Sequence, residues 1–383
     1  MIDDVVVVGA GPAGCWTAYT LARLGARVAI VDGSHPREKP CGGGVTGRAL
    51  AVVGDAVDRA AFPRCEINTA RFVDSSRGLS TSVSLGAGDL VVASRTDFDR
   101  ALFAAAAAAG ARVVNARVTD ISRDSRGFTV DTRDGRVAAR TIVGADGANG
   151  LVRRRLVRPF SHADLSIATG YFIHGATADE IVIEFVADPP GYIWSFPRPT
   201  HLAVGICAQA DAGVRVNALR ARALDWIRAM HLDRGTLEPY SWPIPSLSAG
   251  RVQSLTFCDA GWYLVGDAAG LVDPITREGI YFALLSGEAA ARAIAAGNER
   301  QYREFVEDTI VDELARAARY KANFFRPRFT RLLVDALIES ESIRGVMAGL
   351  VAGTQPYATL KWSLARTAEI GLAWRLVRSK WYN

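Results

Sequence analysis

Four consecutive valines, Val5 to Val8, run directly into Gly9-Ala10-Gly11-Pro12-Ala13-Gly14, and this junction limits the possible folds more than any other feature of the chain. A short apolar run bounded by glycine reads as a strand buried on both faces of a parallel sheet. Cys15 to Leu24 then reads as a helix that Gly25 ends, and Ala26 to Val31 as a second strand with Asp32 at its tip. The unit is β-α-β with G-x-G-x-x-G at its first turn and a carboxylate about twenty residues on. Gly9 permits the tight turn, Gly11 lets backbone approach a pyrophosphate, and Gly14 lets helix and strand pack closely. Pro12 and Ala13 open the helix, whose free N–H groups and positive dipole face the phosphates. Asp32, with Gly33 beside it, is placed to accept hydrogen bonds from a ribose diol. Without a ligand the same residues are only a glycine-rich turn. Strand, helix, second strand and acid in this order make a dinucleotide site, and leave FAD and NAD(P) both open.

Two later segments repeat one theme. Thr141 to Arg153 is a strand followed by Gly144-Ala145-Asp146-Gly147, and Tyr263 to Pro274 is a strand followed by Gly266-Asp267. Each sets a carboxylate at the end of an apolar strand, where ligands sit in open α/β sheets; the plainer role for either acid is a helix N-cap. Arg277-Glu278-Gly279-Ile280 opens a long helix whose N-terminus suits negative charge on a reduced flavin ring. With the N-terminal glycines, these segments resemble the para-hydroxybenzoate hydroxylase-type flavoproteins over about residues 1 to 300. The resemblance implies FAD as cofactor, with Asp267 on the ribityl chain. It also implies contacts from Arg95, which starts a helix, and from the backbone near Val118 at the adenine.

Lys39-Pro40-Cys41-Gly42-Gly43-Gly44 follows the second strand, and three glycines remove side chains where backbone passes a planar ring. This loop, with Tyr192-Ile193-Trp194-Ser195-Phe196-Pro197, resembles the geranylgeranyl reductase family and its Y-x-W-x-F-P signature. Cys207 departs from the family's second glycine in the G-x-G that follows. The halogenase relatives carry W-x-W-x-I-P instead, and their lysine has no clear counterpart here. Tyr192, Trp194 and Phe196 alternate along a strand and so share one face, which suits an elongated apolar substrate or, more plainly, a sheet core. Gly44, Tyr192, Trp194 and Phe196 are the expected substrate contacts. Cys41 and Tyr192 are the expected catalytic residues. Cys41 reads as a redox thiol, a proton donor or a small residue packed by the ring, with Lys39 as the charge that would lower its pKa.

The implied reaction is saturation of C=C bonds in an isoprenoid or other long apolar substrate by hydride from reduced FAD. Electrons would come from NAD(P)H or a redox protein. The alternatives are an aromatic hydroxylase using NAD(P)H and oxygen, a halogenase, and a non-catalytic FAD electron-transfer module. The expected fold is α/β (α+β): a Rossmann-like FAD domain from 1–70, 95–160 and 255–300, an inserted antiparallel substrate sheet from 71–94 and 161–254, and a helical region from 301–383.

Composition sets the remaining limits. The chain has 383 residues, 49% hydrophobic and 22% charged, a globular balance. Five cysteines make no disulfide framework and point to a reducing compartment. Met1-Ile2-Asp3-Asp4 is acidic where a signal peptide is basic, and no apolar run approaches the roughly 18 residues of a membrane span. A cytoplasmic protein is expected. From Leu314 to Asn383 twelve Lys or Arg face four Asp or Glu, so the net charge of +5 resides in the tail. There Trp362, Trp374 and Trp381 stand among Lys361, Arg375, Arg378 and Lys380. The stretch reads as a helical cap with a solvated basic face, or as a peripheral contact with the inner face of an anionic membrane. Neither a nucleic-acid-binding motif nor a metal site is expected.

Overall fold

The computed structural model describes residues 2–367. Strand Asp3–Val8 lies at the centre of the first sheet, parallel to Gly135–Gly144 on one side and Val28–Val31 on the other. Trp262–Leu264 and Arg112–Val114 extend that parallel core outward. Val5 to Val8 are buried in the main hydrophobic core. On one face, helix Pro12–Arg23 packs against helix Ile280–Ala295. Gly287 allows their close approach, since a side chain there would stand 2.7 Å from the Ala13 carbonyl oxygen.

The second sheet has seven strands, in the order Thr236–Pro245, Leu165–His174, His201–Gln209, Pro190–Pro197, Ile181–Ala187, Thr69–Asp74 and Leu79–Ser84. Every pairing is antiparallel except Ile181–Ala187 with Thr69–Asp74. Helix Val216–Ala229 covers the outer face. A third, small sheet was not foreseen: Gly44–Thr46 and Arg64–Glu66 both pair with Leu90–Ala93. It takes Leu90–Ala93 out of the expected substrate sheet and ties the glycine loop to the start of helix Arg95–Ala108.

The C-terminal region is helical. Glu299–Phe305 continues through a π-helical turn at Val306–Val311 into Asp312–Phe324, followed by Pro327–Glu339, Glu341–Ala352 and Leu360–Arg366. Tyr302 anchors this region to the first sheet by donating to the Leu264 carbonyl at 2.6 Å. Trp374, Arg375, Arg378, Lys380 and Trp381 lie outside the described residues.

Candidate active site

The three motif glycines have separable reasons. Gly9 has φ +102°, and a Cβ there would sit 2.5 Å from the Ala145 carbonyl oxygen. A Cβ on Gly14 would stand 1.9 Å from the Gly9 carbonyl oxygen, so helix and strand meet only because it is absent. Gly11 is different. Its φ of −73° suits any residue, and a Cβ there would meet only His35 Nε2 at 3.7 Å. The protein itself does not require that glycine, whereas an approaching pyrophosphate does. The buried first turn of the adjoining helix, Pro12 to Gly14, has no side-chain cap, so its N–H groups are left for a ligand. These residues fit FAD.

Asp32 lies beside this turn with its carboxylate already engaged. It accepts from Ala10 N at 2.9 Å, Ser34 N at 2.6 Å and His35 Nδ1 at 2.8 Å. The His35 contact, first among the favourable ones, holds its pKa well below the ordinary carboxylate range despite burial. Gly33 packs on the backbone of Ala116 and Arg117, directly before Val118 at the head of strand Val118–Asp124. Asp146 is turned under its own loop, where Oδ2 accepts from Val152 N at 3.0 Å and Oδ1 is buried without a partner. Burial pushes its pKa up to about 6. Asp146 thus accepts from the first turn of helix Leu151–Leu156, whose N-cap residue is Gly150.

Gly266, at φ +55°, donates from its backbone N to Ser286 Oγ at 3.0 Å. Asp267 follows it and accepts from Lys39 Nζ at 2.8 Å. Lys39 is therefore committed to Asp267. The cation beside the Cys41 thiol is Arg95, with Nη1 at 3.7 Å from Sγ. Arg95 is buried, and Asp99 receives its Nε and Nη2 at 2.9 and 2.7 Å.

The Cys41–Gly44 loop is held from behind by Arg198, a residue that sequence reasoning did not single out. Arg198 is 1% exposed. It donates to the Cys41 carbonyl at 2.7 Å and the Gly42 carbonyl at 3.4 Å, and pairs with Glu38. Glu38 also accepts from Arg95 N at 3.1 Å, so one carboxylate joins the loop to the next helix. The available signal was the position of Arg198 directly after Pro197, at the end of the aromatic strand. Phe196 lies against the loop: a Cβ on Gly42 or Gly44 would stand 2.7 or 3.1 Å from its ring.

In front of the loop opens a cavity of about 850 Å³ with mostly apolar walls. Pro12, Cys41, Gly42, Gly43, Gly44, Arg95, Asp267, Gly279, Ile280, Tyr192, Trp194 and Phe196 all line it. Gly9, Gly11, Ala13, Gly14, Asp32, Gly33, Val118, Asp146 and Gly266 lie away from its walls. Gly205, opposite Trp194 in the sheet, makes room for the indole: a Cβ there would meet the ring at 2.4 Å. Tyr192 stacks on Phe325, with ring centroids 6.1 Å apart, and its hydroxyl donates to the Thr276 carbonyl at 3.3 Å. Burial keeps the phenol protonated. Cys207 lies across from Tyr192, where the departure from G-x-G places a thiol on the cavity wall. The far wall comes from the C-terminal helices, through Leu333, Met347, Leu350 and Leu364. No described helix is long and apolar enough to cross a membrane, and the described residues contain no group of three or more His, Cys, Asp or Glu that could hold a metal ion.

A phosphate-binding turn opening beside an apolar cavity defines an FAD-dependent oxidoreductase. The family model described as an FAD binding domain matches residues 3–173. A digeranylgeranylglycerophospholipid reductase of Methanothrix thermoacetophila is 31% identical, over 81% of this chain and 85% of its own. A menaquinone reductase of Mycolicibacterium smegmatis is 27% identical, over 98% of this chain and 97% of its own. The crystal structure of a geranylgeranyl bacteriochlorophyll reductase-like protein from Thermoplasma acidophilum shares the fold, with TM-score 0.78, 24% identity, and coverage of 96% of this chain and 99% of that one. The chain belongs to the geranylgeranyl reductase family, and FAD is its cofactor.

Proposed function

We propose that this protein saturates C=C bonds of a polyprenyl chain laid in the cavity. The observation that carries the reading is one continuous apolar space running from the Cys41–Gly44 loop to the C-terminal helices. The names of the reductase relatives support it. When bound and reduced, FAD supplies a hydride to one alkene carbon. The chain does the rest. Gly42 and Gly44 keep the loop free of side chains, while Trp194 and Phe196 exclude water and orient the alkene. The second carbon takes a proton from Cys41 or Tyr192, both on the cavity wall. Cys41 is the better donor: the Arg95 guanidinium 3.7 Å away offsets the negative charge left behind, and the Tyr192 hydroxyl is engaged by Thr276. The single Gly-rich β-α-β unit is committed to FAD, so reduction falls to NAD(P)H bound transiently or to a redox protein.

The test is anaerobic. Holoenzyme reduced by dithionite is mixed with a geranylgeranyl compound, and return of the oxidised-flavin absorbance is followed. Reoxidation with a product heavier by two hydrogens is expected. Reoxidation only when oxygen enters would favour hydroxylase chemistry. Cys41→Ser is expected to slow substrate-dependent reoxidation by about 100-fold at unchanged FAD content, the usual scale for removing a general acid. A wild-type rate would make Cys41 a packing residue.

We also place the protein in the cytoplasm, peripheral at the inner face of the membrane. Trp362 is 72% exposed on helix Leu360–Arg366, and Lys361 and Leu364 of that helix line the cavity. A substrate could pass from lipid into the apolar space without crossing water. Sedimentation with anionic vesicles is expected to fall about tenfold on Trp362→Ser, the effect of burying one large apolar side chain. Equal sedimentation of both proteins would remove this helix from the contact.

A further inference from the structure

Arg277 occupies a conformation that glycine would hold at lower cost. Its φ is +63°, and His231 is the only other non-glycine residue with positive φ among those described. The turn is fixed by Asp273, which accepts from Ile275 N at 2.7 Å and Thr276 N at 3.0 Å through its side chain and from Arg277 N at 3.0 Å through its carbonyl. Glycine would satisfy every one of these contacts, so the arginine side chain has its own reason to be there.

Arg277 lines the cavity wall, three residues before the start of helix Ile280–Ala295. One guanidinium nitrogen donates to Ser246 Oγ, and Nε is buried without a partner. Lys321 Nζ donates to the same Ser246 Oγ at 2.9 Å, to the Ser246 carbonyl at 2.8 Å and to Gln209 Oε1 at 3.1 Å. Two cationic side chains thus converge on one buried hydroxyl, and among the described residues no carboxylate pairs with either. Glu278, next in the chain, is taken by Arg48 and Thr46. Burial and then Arg277 push the Lys321 pKa down to about 7, against a weaker opposing pull from Asp211.

We propose that Arg277, backed by Lys321, binds an anionic oxygen group of the substrate, a carboxylate or a phosphate, inside the cavity. The inference rests on the polyprenyl reading above and adds that the chain is recognised by a charged end. The structure offers that end a guanidinium that no carboxylate pairs with, on a mostly apolar wall.

The test is equilibrium binding to the oxidised holoenzyme, read from the flavin spectrum and from tryptophan fluorescence, since Trp194 and Trp242 line the cavity. The probes are geranylgeranoic acid, geranylgeranyl phosphate and geranylgeraniol. Wild type is expected to bind at least one of the anions about tenfold or more tighter than the alcohol, the scale of one charge-assisted contact. The tighter anion then names the group. Arg277→Gly, which suits the backbone, is expected to fold normally and lose the preference while keeping its affinity for the alcohol. Arg277→Gln repeats the test with a shorter polar side chain and no charge. Equal binding of all three ligands to wild type, or a preference that survives in both variants, overturns the inference and leaves the polyprenyl reading standing. Failure of all three ligands to bind overturns both.

Discussion

Arg198→Met is expected to destabilise the protein by about 3 kcal/mol and to strip most of the FAD from the purified chain. The cost follows from what the guanidinium leaves behind. Cys41 and Gly42 lose the donor to their carbonyls, and Glu38 loses its ion-pair partner. Breaking a buried pair costs about 3–5 kcal/mol, and the lower end applies because Glu38 is 26% exposed. His201, 3.3 Å from Arg198, has its pKa pushed down to about 4 first by burial, a cause that survives the loss of Arg198, so it does not readily take over the charge. The loop cannot settle elsewhere either. Gly43 sits at φ +86° with its Cα packed so tightly that a Cβ would lie 2.4 Å from the Ala93 carbonyl oxygen. Urea melts and flavin absorbance per mole of protein test the expectation. The double variant Glu38→Gln with Arg198→Met should lose less than the sum of the two single changes, because the orphaned carboxylate is then gone. A wild-type melt with full flavin content would show that Arg198 is not what holds the loop.

The residues legible in advance are those whose role is local. Val5 to Val8, Gly9 and Gly14 lie within ten residues of one another and form one local pattern, so turn chemistry exposes them even though Val5 to Val8 and Gly9 also meet Thr141 to Ala145. Tyr192, Trp194 and Phe196 share a face because strands alternate, and all three line the cavity. What stayed hidden depends on pairs far apart in sequence. Lys39 lies two residues from Cys41, yet its amine goes to Asp267, 228 residues away, and the nearby cation is Arg95. Arg198 reaches Glu38 across 160 residues. The small sheet through Leu90–Ala93 forms from three short segments that no periodicity distinguishes. The helices after residue 300 were legible as helices, but an apolar helical face does not say whether it covers a core or walls a cavity. Here it does both, since Leu333 and Met347 belong to a buried cluster and also line the cavity.

Gly11→Ala and Gly14→Ala are expected to fail in opposite ways, and the contrast tests where the phosphates sit. At Gly14 the new Cβ would meet the Gly9 carbonyl oxygen at 1.9 Å, a clash between two backbones that only a shift of helix Pro12–Arg23 relieves. Overpacking of this kind costs about 1–3 kcal/mol or more, so Gly14→Ala should melt early even without cofactor. At Gly11 the new Cβ meets nothing closer than His35 Nε2 at 3.7 Å, and φ stays at an ordinary −73°. The apoprotein should melt within about 1 kcal/mol of wild type, the scale of an N-cap change from glycine to alanine. Affinity for FAD should nevertheless fall by about 10–100-fold, because the methyl group fills the space through which backbone approaches the pyrophosphate. Urea melts of the apoproteins, followed by titration with FAD and its fluorescence quenching, separate the two effects. If Gly11→Ala binds FAD as wild type does, the phosphates lie elsewhere and the uncapped helix start has another purpose. If both variants unfold alike, Gly11 is structural after all, and the strongest sign of the cofactor in the bare chain is lost.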